Sequence, residues 1–253
     1  MAPGPSFDAD GIEERLRTLP EVELLGLLRH SSNYTFLARL CEEGDGPQDG
    51  MLAVYKPARG ERPLWDFPGG SLYAREVASY LVAKALGWPH VPPTVVRERA
   101  PHGVGALQWF VAARSELHYL VAERTSVPEG RWMEIAAFDV LVNNADRKSG
   151  HCLIDEHADV WVIDHGLTFH VEDKLRTVIW DFAGRRLPEP MREDVARVAA
   201  QLDVADGALA VALAGLVDED ELAMFRRRLR VMADRRWRFP GPTSSWAVPW
   251  PPV

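Results

Sequence analysis

Hydrophobic and polar positions alternate in short runs through the first half of the chain. The runs NYTFLARLC (33–41) and MLAVYKP (51–57) are separated by the polar, Gly-rich stretch EEGDGPQDG. Period-two alternation with aromatic and β-branched residues predicts two strands, here joined as a β-hairpin with a long loop. VPPTVVRE and ALQWFVAA predict further strands. A short amphipathic helix that ends near Leu28 is expected to precede the hairpin.

A second pattern has helical spacing. In SLYAREVASYLVAKALG the apolar residues recur every three or four positions, Ser71 is a suitable N-cap, and Gly87 suits the position after the last turn. RWMEIAAFDVLV (131–142) predicts another helix, and CLID with VWVID predicts a tight hairpin. After HGLTFHVEDKLRTVIWDF the pattern is mostly helical to about residue 237.

These elements predict an α+β fold with four parts. Residues 1–30 form an N-terminal extension, 31–113 a strand-rich lobe, 114–238 a mostly helical lobe, and 239–253 a Pro-rich tail. The tail, FPGPTSSWAVPWPPV, cannot form a helix because proline lacks the backbone donor. Its Trp246 and Trp250 are expected either to dock onto the body or to stay disordered with the rest of the tail.

Composition narrows the function classes. The 253 residues carry a formal charge of −8, which disfavours nonspecific binding to nucleic acid. Cys41 and Cys152 lie far apart and form no CxxC pair, so two buried free thiols in a reducing cytoplasm are expected. The N-terminus lacks the basic start and apolar centre of a signal peptide, and no apolar run is long enough to span a bilayer. A cytoplasmic protein without a transmembrane segment is expected.

Lys56 lies on an apolar strand. Leu52, Val54 and Lys56 share one face of it, and the chain has four lysines among 29 basic residues. A lysine in such a place either snorkels to water or supplies a compact charge near phosphate. Glu76 shares a side of its helix with Leu72. It therefore either points inward and pairs with Lys56, or it is an ordinary exposed glutamate that the helix dipole favours.

Two aspartates follow the helix 131–142 along the chain. Asp146 lies in the loop NNADRKSGH (143–151), and Asp164 ends the strand VWVI just before Gly166. The short hairpin between them brings Asp164 back toward Asp146. Two adjacent carboxylates suit a divalent metal and a positioned nucleophile, whereas each alone is typical of a turn aspartate that accepts backbone hydrogen bonds.

The order of these features resembles that of protein-kinase-like phosphotransferases: strand lysine, helix glutamate, loop aspartate, then Ile-Asp-x-Gly after a hairpin strand. The chain resembles the atypical kinases, namely phosphoinositide 3- and 4-kinase catalytic domains and HipA-like kinases, and especially an uncharacterised actinobacterial phosphoinositide-kinase-like family. The resemblance covers about residues 31–185, and the motif matches lie within 139–170. It implies a two-lobed kinase-like fold with ATP in the cleft between the lobes.

The resemblance also implies the nucleotide-binding residues. HSSNYTF takes the place of the glycine-rich loop, Lys56 binds the α- and β-phosphates while paired with Glu76, and ALQWFV forms the hinge that holds adenine. The residues implied beyond Lys56 and Glu76 are Ser31, Ser32 and Asn33 near the phosphates, and Gln108, Trp109 and Phe110 at the hinge.

For the chemical step, ADRKSGH matches the phosphoinositide-kinase pattern Asp-Arg-His-x-x-Asn, which implies that Asp146 is catalytic. IDHG matches Asp-Phe-Gly, which implies that Asp164 binds magnesium. Two residues depart from the pattern: Lys148 replaces the loop histidine, and His151 replaces the metal-binding asparagine. Imidazole suits manganese better than magnesium, so His151 implies a manganese preference, replacement by Asn143 or Asn144, or a degraded kinase.

The sequence therefore predicts an ATP-dependent phosphotransferase that uses Mg²⁺ or Mn²⁺ and an unknown hydroxyl acceptor on a protein, small molecule or lipid. A nucleotide-binding pseudokinase that scaffolds partners is the first alternative. The second is a metal hydrolase built from a cluster of histidines and aspartates, although no H-E-x-x-H or H-x-H spacing supports it. The members of that cluster are His151, Asp155, Asp164, His165 and His170.

Overall fold

The computed structural model describes residues 8–28, 33–42, 44, 46, 50–88, 90–114, 118–120 and 127–253. The chain divides into two compact units. The first comprises Met1–Val77 and Pro92–Phe110, and the second comprises Ala78–Val91 and Val111–Val253.

The first unit is built on an antiparallel five-stranded sheet with strand order β1-β2-β3-β5-β4. Leu40, Tyr55 and Leu107 form part of its apolar core, together with Leu16 of the first helix. The elements of this part of the chain are α1 (Ala9–Thr18), β1 (Glu21–Leu27), β2 (Phe36–Cys41), β3 (Met51–Pro57), α2 (Leu72–Leu86), β4 (Thr94–Arg97) and β5 (Gly105–Trp109).

The prediction of a helix up to Leu28 is wrong, because α1 ends at Thr18 and β1 follows. Leu19 has ψ 122°, an extended conformation that the following Pro20 enforces by steric clash with a helical one. The leucine-rich run after it then pairs with β2, with a register shift between Leu24 and Gly26. Ladder hydrogen bonds to a neighbouring strand outweigh the helix propensity of leucine here.

The face of β3 that carries Lys56 is not the core face. Met51, Ala53 and Tyr55 are buried, whereas Leu52 is 38% exposed and shares its side with Lys56. The predicted sharing of a face is correct, and this face is more exposed than the face that carries Met51, Ala53 and Tyr55. Lys56 therefore lies on the side of the sheet that faces away from the core.

Helix α2 agrees with its predicted bounds. It begins directly after Ser71 and ends before Gly87, which has φ 75°. A residue without a Cβ adopts this left-handed conformation without steric cost, so Gly87 ends the helix. Glu76 and Leu72 are both buried, as predicted from their shared helix side.

The second unit is mainly helical. Its apolar core includes Phe138, Leu141, Val195, Phe225 and Leu229. The predicted helix and hairpin are present, and a region without helix, residues 163–188, separates the hairpin from the last helices. The elements are α3 (Glu129–Val142), β6 (Cys152–Ile154), β7 (Val160–Val162), α4 (Glu189–Leu202), α5 (Ala208–Ala214) and α6 (Glu219–Met232).

The Pro-rich tail forms no α-helix, as predicted, and it docks through its backbone. The carbonyl of Pro252 accepts from Ser149 N (2.8 Å), and that of Ala247 accepts from Thr177 N (3.0 Å). The side chains of Trp246 and Trp250 are 76% and 84% exposed, so neither tryptophan anchors the tail. Within the described part of the chain, no helix combines the length and apolarity that a bilayer crossing requires.

We expect Gly105→Ala to lower the free energy of unfolding by about 1–3 kcal/mol, the usual cost of overpacking. A Cβ on Gly105 would lie 2.5 Å from the carbonyl oxygen of Lys56 and 2.7 Å from Pro57 Cα, and backbone atoms cannot move aside. Gly26→Ala is the matched control, because a Cβ there meets nothing within 4 Å. Urea unfolding of both variants measures the difference, and equal midpoints would contradict the packing described for β3 and β5.

Candidate active site

Lys56 and Glu76 form an ion pair in the first unit. Lys56 Nζ donates to Glu76 Oε1, and the two side chains are 18% and 3% exposed. Strand β3 supplies the lysine from its non-core face, and the second turn of α2 supplies the glutamate. Because Glu76 is buried, the lysine is held in place and offers compact positive charge at a partly solvated position.

The other residues predicted to bind nucleotide are only partly described. Ser31 and Ser32 lie outside the described residues. Asn33 Oδ1 accepts from the backbone N–H of Arg62 (2.8 Å). Its side chain thereby links the segment before β2 to the segment after β3.

The predicted adenine segment ends strand β5. Gln108 is buried, and its Nε2 donates to Thr94 Oγ1 (2.9 Å). The backbone N–H of Trp109 donates to Pro93 O (2.8 Å), and that of Phe110 donates to Leu52 O (3.2 Å). The Gln108 amide and both backbone donors thus join the end of β5 to the segments on either side of it, and their role toward adenine stays a prediction.

A buried arginine organises the loop 143–151 in the second unit. Arg147 and Asp139 are fully buried, and Arg147 Nε and Nη2 donate to both oxygens of Asp139 at 3.0–3.2 Å. Arg147 Nη1 donates to the carbonyl of Ile163 (2.8 Å), and its Nη2 lies 2.6 Å from His165 Nε2. Arginine only donates, so Nε2 of His165 is the acceptor. The loop and the residues around Asp164 are thereby tied to α3.

Asn143 and Asn144 hold the backbone of this region. Asn143 Nδ2 donates to the carbonyls of His170 (3.0 Å) and Glu172 (2.6 Å). Asn144 Nδ2 donates to Asp139 (2.9 Å), and its Oδ1 accepts from Asp146 N (3.0 Å). Both amides are buried and already bound to other groups, and a role for either in place of the metal-binding asparagine stays a prediction.

Asp146 is a partly buried carboxylate with a cation beside it. Lys148 Nζ lies 3.2 Å from Asp146 Oδ2. Burial raises the pKa of Asp146 above its usual 3.8, the nearby charge of Asp164 raises it further, and Lys148 opposes the rise. A carboxylate with a raised pKa is better placed to accept a proton than one in water.

Asp164 is presented to solvent by a constrained backbone. Its φ is 62°, a left-handed conformation that non-glycine residues rarely adopt, and its side chain is 53% exposed. The hydrogen bond from Ile163 N to His151 O (3.0 Å) holds the end of β7 against the loop. The charge of Asp164 contributes to the raised pKa of Asp146, so the two carboxylates interact electrostatically.

His151 faces Asp164. Its Nε2 lies 3.4 Å from Asp164 Oδ2, and its Nδ1 accepts from the backbone N–H of Lys148 (3.4 Å). A neutral imidazole that accepts at Nδ1 carries its proton on Nε2. In this arrangement His151 directs an N–H toward the Asp164 carboxylate, and a metal ion at Nε2 would require the other tautomer.

The exposed carboxylate of Asp164 has the hard oxygen atoms that Mg²⁺ and Mn²⁺ prefer. Among the described residues, no three His, Cys, Asp or Glu side chains group closely enough to hold an ion by themselves. Magnesium in phosphotransferases is bound by one or two carboxylates and completed by phosphates, so the residues present fit a metal that arrives with a nucleotide.

The proposed His/Asp hydrolase cluster does not assemble in the part of the chain that is described. Asp155 instead organises its own hairpin, where it accepts from Asp159 N and Trp161 Nε1 at 3.0 Å each. His165 is buried against Arg147, and His170 Nδ1 accepts from Glu172 N (3.0 Å). The buried Cys152, whose pKa burial raises to about 12, stays a neutral thiol.

Sequence reasoning missed Asp139 and the docking of the tail at this loop. An aspartate inside the apolar run IAAFDVLV is a signal, because a buried charge requires a partner. The two tryptophans of the tail left docking open as one alternative, but nothing in the sequence indicated where the tail would dock. Its contact with Ser149 and Thr177 uses backbone groups, which every residue has.

Comparison with known proteins identifies a relative of similar length. The chain is 40% identical over 264 residues to Protein Rv2133c of Mycobacterium tuberculosis, and the match covers 91% of this chain and 92% of that protein. No protein-family model matches the chain.

Solved kinase structures resemble the fold. The Golgi casein kinase with Mn/ADP bound matches with a TM-score of 0.54 at 15% identity, over 89% of this chain and 74% of that one. Hydra Fam20 with sugar matches with a TM-score of 0.53 at 14% identity, over 91% of this chain and 89% of that one. The predicted kinase-like α+β fold is confirmed, whereas the relation to phosphoinositide kinases and HipA-like kinases stays a prediction.

We expect Asp139→Asn to lower the free energy of unfolding by about 3 kcal/mol, because it leaves the Arg147 charge buried without its counter-charge. Glu189→Gln is the control, since it breaks a surface pair with Arg192 in which the glutamate is 72% exposed and costs at most about 1 kcal/mol. Chemical denaturation measures both. Similar losses in the two variants would show that the buried pair is not the main constraint on the loop.

Proposed function

We propose that this chain, which belongs to the same family as the Mycobacterium tuberculosis protein Rv2133c, is an ATP-dependent phosphotransferase of the kinase type. The observation that carries the proposal is the ion pair between Lys56 and Glu76. The buried Glu76 requires a counter-charge, and the lysine that provides it keeps its ammonium at a partly solvated position. A positioned point charge for phosphate oxygens explains the arrangement.

The loop of the second unit supplies the groups for phosphoryl transfer. Asp146 accepts the proton of the acceptor hydroxyl. The hydroxyl oxygen bonds to the γ-phosphorus as the bond from that phosphorus to ADP breaks. Lys148, 3.2 Å from Asp146, places positive charge where negative charge develops on the transferred group. The mechanism is mainly positioning and electrostatics.

Asp164 would hold the divalent ion, which when bound neutralises charge on the phosphates. His151 orients the Asp164 carboxylate by directing N–H toward it at 3.4 Å, in place of a second oxygen ligand. Lys56 would neutralise the α- and β-phosphates, and Gln108–Phe110 would lie along the adenine. The acceptor is a hydroxyl compound whose class stays open among protein, small molecule and lipid.

A pseudokinase is the second candidate, and one observation favours it. With the His151 proton on Nε2, Asp164 is the single firm metal ligand of the loop, whereas the family pattern uses an aspartate and an asparagine. A weakly held ion is compatible with nucleotide binding without turnover. Transfer of labelled γ-phosphate, either to an acceptor or to the chain itself, separates the two functions.

We expect ATP with Mg²⁺ or Mn²⁺ to raise the melting temperature, because a ligand that binds only the native state stabilises it. Lys56→Ala and Glu76→Gln should reduce that rise by most of its size. Lys84→Ala is the matched control, an exposed lysine on the same helix as Glu76. If ATP raises the melting temperature of Lys56→Ala as much as that of the unchanged chain, Lys56 does not bind the nucleotide. The proposal would then lose its main support.

The two aspartates should respond differently to substitution. Asp146→Asn should lower turnover at least about 100-fold with unchanged ATP binding, the size typical of a lost general base. Asp164→Asn should weaken metal-dependent ATP binding as well. Titration of ATP by calorimetry, followed by a transfer assay, measures both effects, and identical behaviour of the two variants would contradict the division of roles.

Asp146→Asn should also stabilise the folded chain. The pKa of Asp146 is raised in the folded state, so its ionised form costs stability at neutral pH. That cost disappears as the pH falls through the raised pKa. Below the usual value of 3.8 the carboxyl is protonated in both the folded and the unfolded chain. The gain in melting temperature should therefore shrink on acidification, and a gain independent of pH would assign it to another cause.

His151→Asn restores the family residue and should strengthen magnesium-dependent ATP binding relative to manganese. An asparagine carbonyl adds a hard oxygen ligand, whereas the present imidazole carries a proton on the atom that faces Asp164. Titration of both ions at fixed ATP gives the ratio of affinities. An unchanged ratio would mean that residue 151 has no contact with the ion and only supports the turn.

A further inference from the structure

A pocket of about 410 Å³ lies in the second unit, and none of the proposed phosphotransfer residues lines it. Its walls come from the end of α3, the segment 173–180, helix α6 and the segment 237–243. This volume is within the range of sites that hold a small organic molecule. Apolar side chains form most of the wall: Val140, Leu175, Trp180, Met224, Val231, Met232 and Trp237.

Three arginines border this apolar wall: Arg227, Arg228 and Arg238. Asp173 is the one acidic residue among the described lining residues. Arg238 Nη1 donates to Gly184 O (2.7 Å), which holds its side chain at the rim. A basic excess beside apolar walls repels cations and attracts an anion with an apolar body.

Arg228 is the most constrained of the three. Its Nε donates to Leu141 O (2.9 Å) and its Nη1 to His170 O (3.3 Å), so the guanidinium has a fixed orientation. Its Nη2 is buried and has no acceptor among the described residues, and the same holds for Nε1 of Trp180. Burial lowers the pKa of Arg228 to about 10, although Asp173 and Glu221 oppose the change.

Buried donors without acceptors are unfavourable, and two of them belong to side chains that line this single pocket. An oxyanion is the acceptor that a guanidinium and an indole N–H both bind well. Stability alone would favour apolar residues at these positions. A ligand with an oxyanion head accounts for the arginines, and the tryptophans and methionines account for its apolar body.

We propose that this pocket binds a small organic anion, with an aromatic or aliphatic body and a single carboxylate or phosphate head. The head contacts Arg228, with Arg227 and the indole N–H of Trp180 beside it, and the body packs between Trp180, Trp237 and Met224. This site is separate from the proposed phosphotransfer function and does not depend on it.

Calorimetric titration of the full chain tests the proposal with two anions, 3-phenylpropionate and phenyl phosphate. Inorganic phosphate and the neutral 3-phenylpropanol are the controls for head and body. We expect saturable binding of one or both anions, at least about tenfold tighter than that of either control. The reason is that each control lacks either the charged head or the apolar body. Preference for one anion identifies the head as carboxylate or phosphate.

Variants locate the binding within the pocket. Arg228→Met removes the charge and keeps a similar stem, Arg227→Gln covers the case that Arg228→Met fails to fold, and Val231→Trp fills space from a residue that is 51% exposed. Each should weaken anion binding about tenfold or more. Arg230→Gln is the matched control, because Arg230 lies on the same helix and pairs with Asp203 outside the pocket.

Two results would overturn the proposal. One is the absence of saturable binding by both anions, or equal binding of 3-phenylpropanol. The other is unchanged anion binding in Val231→Trp, which would place the ligand elsewhere. Lys56→Ala separates this site from the nucleotide site: anion binding should persist in that variant even if the phosphotransfer proposal fails.

Discussion

The buried guanidinium of Arg147 is the constraint on which the loop of the second unit depends. It binds both oxygens of Asp139, the carbonyl of Ile163 and the ring of His165. Removing these charges from water is costly, and the cost is offset only while every partner stays in place. A loop joined to its neighbours in this way has one low-energy arrangement, and the positions of Asp146 and Asp164 follow from it.

Two carboxylates of the candidate site are held in environments that lower the stability of the folded chain. Asp146 is partly desolvated with a raised pKa, and Asp164 lies in a left-handed backbone conformation. Both conditions cost free energy, and costs of this kind are typical of functional sites. The hydrogen bonds around Arg147 and the packing of the helices in the second unit offset these costs. Lys56 and Glu76 follow the same principle in the first unit, where burial of the glutamate fixes the lysine.

Two residues of the loop differ from the kinase pattern that the sequence resembles. His151 stands where an asparagine oxygen is expected, and its hydrogen bonding places a proton on the atom nearest Asp164. Lys148 stands where a histidine is expected and pairs with Asp146 instead. Both side chains contact a carboxylate of this chain, Asp164 for His151 and Asp146 for Lys148.

The sequence by itself determined the elements whose signals are local. Helix α2 ends at Gly87 because of backbone sterics, and the hairpin before Asp164 follows from two short apolar runs around a polar turn. The order of Lys56, Glu76, Asp146 and Asp164 along the chain was sufficient to predict a kinase-like fold. Only the tertiary structure decided which face of β3 is buried, that β1 is a strand, and that Asp139 pairs with Arg147. Those outcomes depend on which segments pair and pack, even where the partners are only eight residues apart, as Asp139 and Arg147 are, and pairing and burial energies leave no local pattern. The same holds for the pocket beside α6, whose lining residues extend along the chain from Val140 to Thr243.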